Sequence, residues 1–409
     1  MAVKVVRQPN KVALLGAPTS AAAMSPGHEG APAAIRAAGL VERLQSIGYE
    51  VVDLGDDPAQ VYKPDDESPR ARNLPGVIAA LEALKPRVEA AVKSGALPLI
   101  LSGDCSIALA TIAGARRYFR NVSLIYMDRD ADLNTPATTQ SGCLDGMVVS
   151  HLTGRGAAEL VRFWGEPPLV REPDLALFGV DRIDPSEEEV LRRSPLRQYL
   201  AADVQRVGAV AAAQAAVERI HGNGSEFVLH FDVDVIAGFP ATNYPGENGL
   251  RLSEVRDALE VFAKQKHLAA IEITAYNPAK DPDGSGAKTI IDLLADVLGA
   301  RLESLKAAEA ATPAVSSAPV QAVAEETPVA AIVEALVEPT AEPPAEPIVE
   351  VELPPLMPGE AWSSEALELE SDSQSKEIAS ESVENDDEDS KRAEAEPQEP
   401  SVESDKSES

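Results

Sequence analysis

The sequence has few aromatic residues, only two cysteines and no long apolar run. Aromatic residues make up 4% of the 409 residues, although 44% are hydrophobic. Cys105 and Cys143 are too few for a disulfide framework, which is typical of a protein in a reducing compartment. No run reaches the ~18 apolar residues of a membrane-spanning helix, and the N-terminus lacks the apolar core of a signal peptide. We therefore expect a cytoplasmic protein with no membrane partner.

Basic residues are also scarce, and the charge is divided unevenly along the chain. The chain has 36 basic and 67 acidic residues, for a net charge of −31. Residues 303–409 contain 28 acidic and 5 basic residues, so most of the negative charge lies there. The rest has no stripe of Lys and Arg that would neutralise phosphates, and we expect no nucleic acid partner.

The acidic C-terminal part differs from the rest in composition. After about residue 310 the sequence is rich in Ala, Pro and Glu, then in Ser, Glu and Asp, and Trp362 is its one aromatic residue. Such a segment buries too little apolar surface to offset the entropy lost on ordering. We predict a folded domain over residues 1–305 and a disordered tail over 306–409.

The predicted domain alternates short β-rich apolar runs with longer amphipathic stretches. This alternation predicts an α/β fold in which helices cover both faces of a mostly parallel sheet. The predicted strands are Lys11–Ala17, Tyr49–Leu54, Leu97–Ser102, Val122–Met127, Leu175–Val180, Glu226–Phe231 and Leu268–Ala275. The predicted helices include Ala31–Ile47, Leu74–Lys93, Val207–Ile220 and Leu252–Lys266.

Acidic residues follow three of the predicted strands. They are Asp104, Asp128, Asp130, Asp132, Asp232 and Asp234. Ligand sites in open α/β sheets lie beyond the carboxyl ends of the strands, so these residues are expected to meet in one crevice. Residues two apart on a strand point the same way, which would place Asp232 and Asp234 on one strand face. Val233 and Val235 would then point into the packing.

Carboxylates that converge in this way repel one another and resist burial. Two arrangements relieve the repulsion: some carboxyls become protonated, or a divalent cation binds, and hard cations such as Mn²⁺ and Mg²⁺ prefer oxygen ligands. Aspartates also cap helices and form turns after strands, which explains any one of these residues equally well. Five together, after two strands, favour the cation.

Five ordered motifs resemble those of the arginase/agmatinase/formiminoglutamase (ureohydrolase) family. They are Ser102-Gly-Asp-Cys-Ser106, Asp128-Arg-Asp-Ala-Asp-Leu-Asn-Thr-Pro136, Ser141-Gly-Cys-Leu-Asp-Gly-Met147, Asp181-Arg-Ile-Asp-Pro-Ser-Glu187 and Asp232-Val-Asp-Val235. With flanking similarities, the resemblance covers residues 11–300. It implies a three-layer αβα fold, assembly as a homo-oligomer (trimer or hexamer) and hydrolysis of a guanidino or amidino small molecule.

The resemblance also implies two Mn²⁺ ions, with Mg²⁺ as the alternative metal. The implied ligands are Cys105, Asp128, Asp130, Asp132, Asp232 and Asp234, of which Asp128 and Asp232 would bridge the ions. Two cations lower the pKa of bound water enough to supply a nucleophile at neutral pH.

Four further positions match family residues that contact the substrate or move protons. Asn134, Ser141 and Asp184 match residues that bind the α-carboxylate and α-amino group of an amino-acid substrate. Asp145 stands at the position of a proton-relaying histidine and is the candidate catalytic acid or base.

The chain departs from the family at the residues nearest the chemistry. Cys105 and Asp130 replace the two ligand histidines, Asp145 replaces the relay histidine, Cys143 replaces an asparagine, and Ala275 replaces a guanidinium-binding glutamate. One interpretation is a remodelled hydrolase, because thiolates and carboxylates themselves bind metals. The other is a catalytically inactive relative that keeps a structural metal and acts as a scaffold through its acidic tail.

Two other residues near the motifs have two interpretations each. Arg129 either pairs with the carboxylates beside it or clamps substrate. His230 lies two residues before Asp232 and is either an additional ligand or, as we expect, a satisfied core residue one layer deeper.

Overall fold

The structure is a computed structural model that describes residues 5–221 and 226–311. Residues 312–409, which hold most of the predicted tail, lie outside the described residues. The last helix continues to Ala311, beyond the predicted domain end at residue 305. In the described ranges, no helix has both the length and the apolar character that crossing a membrane requires.

One parallel sheet of eight strands forms the centre of the described chain. Its strands are β1 Lys11–Ala17, β2 Glu50–Asp56, β3 Leu97–Ser102, β4 Val122–Met127, β5 Leu175–Val180, β6 Arg197–Leu200, β7 Glu226–Asp232 and β8 Leu268–Thr274. They are ordered β2-β1-β3-β8-β7-β4-β5-β6, and each pairing is parallel. All seven predicted strands are confirmed. The additional strand, β6, is a partly exposed edge strand of four residues without an apolar run.

The helices of the described chain lie in the connections between strands, except for the last helix, which follows β8. They are α1 Ala31–Ala37, α2 Leu40–Ser46, α3 Leu74–Lys93, α4 Ala108–Ala115, α5 Val148–Leu152, α6 Ala158–Val161, α7 Pro185–Arg193, α8 Ala201–Val207, α9 Ala209–His221, α10 Leu252–Ala263 and α11 Ser285–Ala311.

Two of the predicted helices are divided or displaced by glycine. The single helix predicted over residues 31–47 is wrong, because Gly39 adopts φ 95° between α1 and α2. The helix predicted from residue 207 begins after Gly208, whose φ is 92°. A helix cannot continue through a residue in this left-handed half of φ space, which glycine reaches without a steric penalty.

Two apolar cores lie on opposite faces of the sheet. Alternate residues of β1 divide between them: Leu14 belongs to the core that contains residues of α1, α2 and α8–α11, whereas Leu15 belongs to the core that contains residues of α3–α7. The central strands β3, β4, β5 and β8 are buried along their whole length, as expected of a parallel sheet covered on both faces. The predicted three-layer αβα fold is confirmed.

Candidate active site

The ten residues predicted for the site all line one cavity of about 230 Å³. They are Cys105, Asp128, Asp130, Asp132, Asn134, Ser141, Asp145, Asp184, Asp232 and Asp234. Strands β3, β8, β7, β4 and β5 are neighbours in the sheet, so the loops after them share one edge, as expected for parallel strands. Met24, Cys143, Gly146, Arg182, Glu187 and Tyr244 complete the lining.

The aspartates reach the cavity through turns rather than along extended strands. The expectation that Asp232 and Asp234 share a strand face is wrong, because β7 ends at Asp232 and a 3-10 turn follows over Val233–Val235. The Asp232 carboxylate caps this turn by accepting the Asp234 backbone N–H at 2.7 Å. Val233 and Val235 are buried in the core as expected. Asp132 also leaves extended geometry, with φ 50°.

Asp128, Asp130 and Asp234, here called the oxygen cluster, each place a carboxylate oxygen within 4.8 Å of the other two. Burial raises the pKa of Asp128 and of Asp234 well above the usual range, and the nearby Asp232 carboxylate raises both further. The buried Oδ1 of Asp234 has no hydrogen-bond partner among the described residues. A divalent cation would relieve both the repulsion and the missing contact.

Two arginines contact the oxygen cluster. Arg182 donates two hydrogen bonds to the two carboxylate oxygens of Asp130. Burial acts to lower the pKa of Arg182, but the Asp130 carboxylate more than reverses this and raises it. Arg129 is buried, lies 3.6 Å from Asp234 and donates to the backbone carbonyl of Tyr244. Its contacts agree with the interpretation that Arg129 pairs with carboxylates.

Cys105, Asp128, His230 and Asp232, here called the mixed cluster, form a second group with ligand atoms within 4.8 Å of one another. The Cys105 thiol lies 3.0 Å from Asp232 Oδ2 and 3.2 Å from Thr274 Oγ1. Burial and the Asp232 charge raise the pKa of this thiol well above its usual value. The mixed cluster shares Asp128 with the oxygen cluster and lies beside it.

His230 is a buried core residue, as expected, and it also reaches the mixed cluster. Its Nδ1 lies 2.7 Å from Glu272 Oε2, and its Nε2 lies 3.3 Å from Thr274 Oγ1. The ring stacks on Tyr126 with 4.2 Å between centroids and 4° between planes. The side chain is therefore held on three sides by neighbouring strands.

Asp132 and Asp145 lie in the cavity outside both clusters. Asp132 accepts the Tyr126 hydroxyl. Asp145 accepts the Cys105 backbone N–H at 2.8 Å and the Tyr244 hydroxyl at 3.2 Å. Burial, with the added charge of Asp104, raises the pKa of Asp145 well above the usual range. The Cys105 backbone N–H and the Tyr244 hydroxyl thus orient the Asp145 carboxyl.

Asn134, Ser141 and Asp184 are more exposed than the aspartate clusters. Asn134 Nδ2 donates to Asp184 Oδ2 at 2.8 Å. Asp184 also caps α7 in a capping box with Glu187, which receives the Leu133 backbone N–H at 2.8 Å. The helix cap thereby positions Asp184, and through the hydrogen bond also Asn134, which are two of the predicted substrate-binding residues.

The position of the lost guanidinium-binding glutamate offers no carboxylate. Ala275 is fully buried, with φ 64°, and its backbone N–H donates to the Gly103 carbonyl at 2.7 Å. The carboxylates that line this cavity among the described residues are those of the aspartates named above and of Glu187.

The sequence matches the arginase family model over residues 10–299. The chain belongs to the arginase family. It is 28% identical to the arginase of Bacillus caldovelox over 297 residues, which cover 71% of this chain and 99% of that enzyme. A native structure of Bacillus caldovelox arginase has a TM-score of 0.66 at 27% identity and covers 71% of this chain and 98% of that one. A formiminoglutamase from Trypanosoma cruzi, solved with Mn²⁺, shares the fold at a TM-score of 0.56 and 18% identity, covering 72% of this chain and 93% of that one.

The residues present fit the family's two-manganese set only in part. The oxygen cluster offers carboxylates, which suit Mn²⁺ and Mg²⁺. The mixed cluster offers a sulfur and a nitrogen beside two carboxylates, and a thiolate is a poor match in softness for hard cations.

Several residues of the site were missed by reasoning from the sequence. Arg182 lies within one of the five motifs but was given no role, and Tyr244 lies outside them, although an excess of buried carboxylates indicates that nearby cations and donors are needed. Glu272 and Thr274 lie on β8, opposite His230 and Asp232 of β7 in the strand register. That register depends on the sheet order, which a single sequence does not reveal.

Proposed function

We propose that this arginase-family chain is a metal-dependent hydrolase that cleaves a C–N bond in a linear guanidino or amidino compound and releases urea or a related amide. One observation carries the proposal: a single cavity contains three kinds of residue that the reaction needs. They are carboxylates that could bind a cation, the candidate acid Asp145, and the candidate substrate-binding residues Asn134, Ser141 and Asp184. The hydrolases named among its relatives support the same reaction class.

The proposed metal ligands are the six residues that match the family motifs. Asp128, Asp130 and Asp234 form the oxygen-only part of that set, and Cys105, Asp132 and Asp232 complete it. Mn²⁺ is the metal in the related Trypanosoma cruzi structure, which supports a divalent cation here. A bound cation would lower the pKa of water and so supply a nucleophile at neutral pH.

The chain's own residues would move the proton and hold the substrate. Asp145, whose pKa is raised well above the usual range by burial and by the Asp104 charge, would donate a proton to the departing amine. Tyr244 and the Cys105 backbone N–H hold that carboxyl in place. Asp184 would pair with the α-amino group of an amino-acid substrate, while Asn134 and Ser141 would donate to its carboxylate.

A screen for urea and ammonia release tests the proposal. The purified full chain is incubated with a panel of guanidino and amidino compounds in the presence of Mn²⁺, Mg²⁺ or Zn²⁺. We expect release from at least one compound, lowered about 100-fold or more in Asp145→Asn and unchanged in Lys288→Ala, a surface change on α11. No release by folded protein from any compound with any metal would contradict the proposal.

Two observations favour a second candidate, a catalytically inactive family member that keeps a metal and acts as a scaffold. Ala275 removes a carboxylate from the substrate position, and Arg129 and Arg182 already contact the oxygen cluster. This candidate predicts metal binding without hydrolysis, together with an interaction that is lost when residues 312–409 are removed. A truncated chain that keeps each partner of the full chain would contradict the scaffold role.

The remaining features of the proposal follow from the family. We propose a small guanidino or amidino compound as the only substrate class, assembly as a homo-oligomer (trimer or hexamer), and a cytoplasmic location. Light scattering coupled to size-exclusion chromatography measures the assembly directly, and a monomer at micromolar concentration would contradict it.

A further inference from the structure

We propose that the mixed cluster is a zinc site, in which Cys105 Sγ, His230 Nε2 and one oxygen each of Asp128 and Asp232 bind a single Zn²⁺. The proposal rests on the proposed function for the presence of a divalent cation in the cavity. It names the metal class, and it adds the ligand His230 and its carboxylate partner Glu272, which the family resemblance does not supply.

The four donor atoms are already gathered in the structure. Each lies within 4.8 Å of the others, and all four residues are buried. Thr274 Oγ1 lies 3.2 Å from Cys105 Sγ and 3.3 Å from His230 Nε2, so the thiol and the imidazole approach the same hydroxyl from two sides. Zn²⁺ binds such donors at ~2.0–2.3 Å, so a single ion would draw the four donors together.

The donor types select the metal. One sulfur, one nitrogen and two carboxylate oxygens are the ligand types that Zn²⁺ accepts in four-coordinate sites. Mn²⁺ and Mg²⁺ prefer oxygen ligands, and a thiolate ligand is a poor match for either ion. The replacement of a family histidine by Cys105 therefore changes which metal the site holds, rather than removing the site.

The surroundings of His230 are those of a metal ligand. A ligating histidine typically donates its other ring N–H to a carboxylate, which sets the tautomer and orients the ring. Here Nδ1 faces Glu272 Oε2 at 2.7 Å, which leaves the lone pair of Nε2 on the side of the mixed cluster. Stacking on Tyr126 fixes the plane of the ring.

The counter-charges of the cavity also separate the two clusters. Among the described residues, the arginines that form ion pairs with the clustered aspartates are Arg129 and Arg182. They pair with Asp234 and Asp130, which both belong to the oxygen cluster. Asp232 receives hydrogen bonds from the Cys105 thiol and the Asp234 backbone N–H. A cation in the mixed cluster would supply the positive charge that Asp232 lacks. On binding, the Cys105 thiol loses its proton to solvent, with no change of oxidation state.

Cobalt substitution and zinc titration of the full chain test this site. The protein is stripped with a chelator, then titrated with Co²⁺ and, separately, with Zn²⁺ against a chromophoric competitor. We expect one tightly bound Zn²⁺ per chain and, with Co²⁺, an absorption band of thiolate-to-cobalt charge transfer. Cys143→Ser is the matched control, because Cys143 lines the same cavity outside the cluster, and it is expected to keep both results.

Three variants locate the ligands. Cys105→Ser is expected to abolish the charge-transfer band, and His230→Gln to weaken Zn²⁺ binding at least 100-fold while keeping the band. Glu272→Gln is expected to weaken Zn²⁺ binding about 10- to 100-fold, since it alters only the partner of a ligand. Circular dichroism verifies that each variant folds. If His230→Gln does not fold, the separate results for Cys105→Ser and Glu272→Gln test the zinc site.

The outcomes separate this inference from the proposed function. A band that survives in Cys105→Ser, or a Zn²⁺ affinity unchanged in both Cys105→Ser and Glu272→Gln, would overturn the zinc site. Hydrolysis supported by Mn²⁺ in a protein with no zinc preference would overturn the zinc site and leave the function standing. A zinc site in a protein that hydrolyses none of the screened compounds would support the zinc site and contradict the proposed function.

Discussion

The oxygen cluster and the mixed cluster share Asp128 and one sheet edge, yet differ in how their charge is balanced. Arg129 and Arg182 contact the oxygen cluster, whereas the mixed cluster has a thiol and a histidine–glutamate pair. Inherited carboxylates alone therefore do not define a metal site. The residues that neutralise or accompany them decide whether a cation is needed and which cation fits.

Removal of the shared carboxylate has the largest expected effect. In Asp128→Asn, both clusters lose a ligand, so affinity for Zn²⁺ and Mn²⁺ is expected to fall on the order of 1000-fold. This loss is larger than the ~10- to 100-fold expected when the substituted residue only hydrogen-bonds to a metal ligand. The metal-free protein is expected to become more stable, because one buried, repelled carboxyl is gone. Calorimetric titration and thermal unfolding measure the two effects.

Asp130→Asn is the matched control for that variant, since Asp130 belongs to the oxygen cluster alone. It is expected to lower Mn²⁺ affinity and leave Zn²⁺ affinity within about threefold. Equal losses of Zn²⁺ in Asp128→Asn and Asp130→Asn would show that the two clusters act as one site.

The two arginines are expected to differ in their contribution to stability. Arg129→Met leaves Asp234 buried beside no cation and is expected to cost about 3 kcal/mol in the free energy of unfolding. Arg182→Met removes a side chain that is 48% exposed and is expected to cost less than about 1 kcal/mol. Urea unfolding of metal-free protein compares them, and equal costs would argue against a buried role for Arg129.

A third prediction concerns His151, a buried histidine that differs from His230 in its surroundings. His230 has Glu272 beside it, whereas the ring nitrogens of His151 have no hydrogen-bond partner among the described residues. Burial lowers the pKa of His151 to about 4 from an ordinary 6.5. The unfolded chain therefore takes up this proton first, so the stability that neutral His151 contributes is full above pH 6.5 and is lost as the pH falls toward 4.

Between pH 7 and pH 5, the wild type is expected to lose roughly 2 kcal/mol more unfolding free energy than His151→Leu. Urea unfolding of both proteins at the two pH values measures the difference. The same loss in both proteins would mean that His151 does not titrate in this way.

The smallest expected effects lie among the more exposed residues of the cavity. Asn134→Ala is expected to raise KM about tenfold through a lost hydrogen bond to the substrate, with kcat nearly unchanged. Asp184→Ala is expected to raise KM similarly and also to cost about 1 kcal/mol of stability, because it removes the cap of α7. An unchanged KM in both variants would separate these residues from the substrate.

Much of the fold and the location of the site could be predicted from local pattern. The apolar runs of the seven longer strands and the acidic residues after β4 and β7 placed the cavity correctly. Asp104, which follows β3, was also expected in the crevice, but it does not line the cavity and instead accepts the Ser106 backbone N–H. The sequence left a turn at Asp232 as an alternative to strand geometry and could not decide between them, because a carboxylate that accepts a nearby backbone N–H changes their relative free energy only slightly. Edge strand β6 lacked an apolar run, and the breaks at Gly39 and Gly208 required knowledge of φ.

The residues of the mixed cluster could not be predicted from the sequence, for a different reason. Tyr126, His230 and Glu272 occupy opposite positions on β4, β7 and β8. These strands are far apart in the chain, and neighbouring positions emerge only when strand order and register are known. Cys105 was visible as a substituted ligand, whereas its partner His230 had two interpretations, of which the core residue was the expected one.

Anomalous diffraction from crystals grown with equimolar Zn²⁺ and Mn²⁺ tests the account most directly. Data collected at the two absorption edges locate each metal separately. We expect a zinc peak at about 2.3 Å from Cys105 Sγ and about 2.0 Å from His230 Nε2, with Asp128 and Asp232 as its other ligands. Manganese at that position, or metal bound between Asp128 and Asp234 alone, would contradict the account.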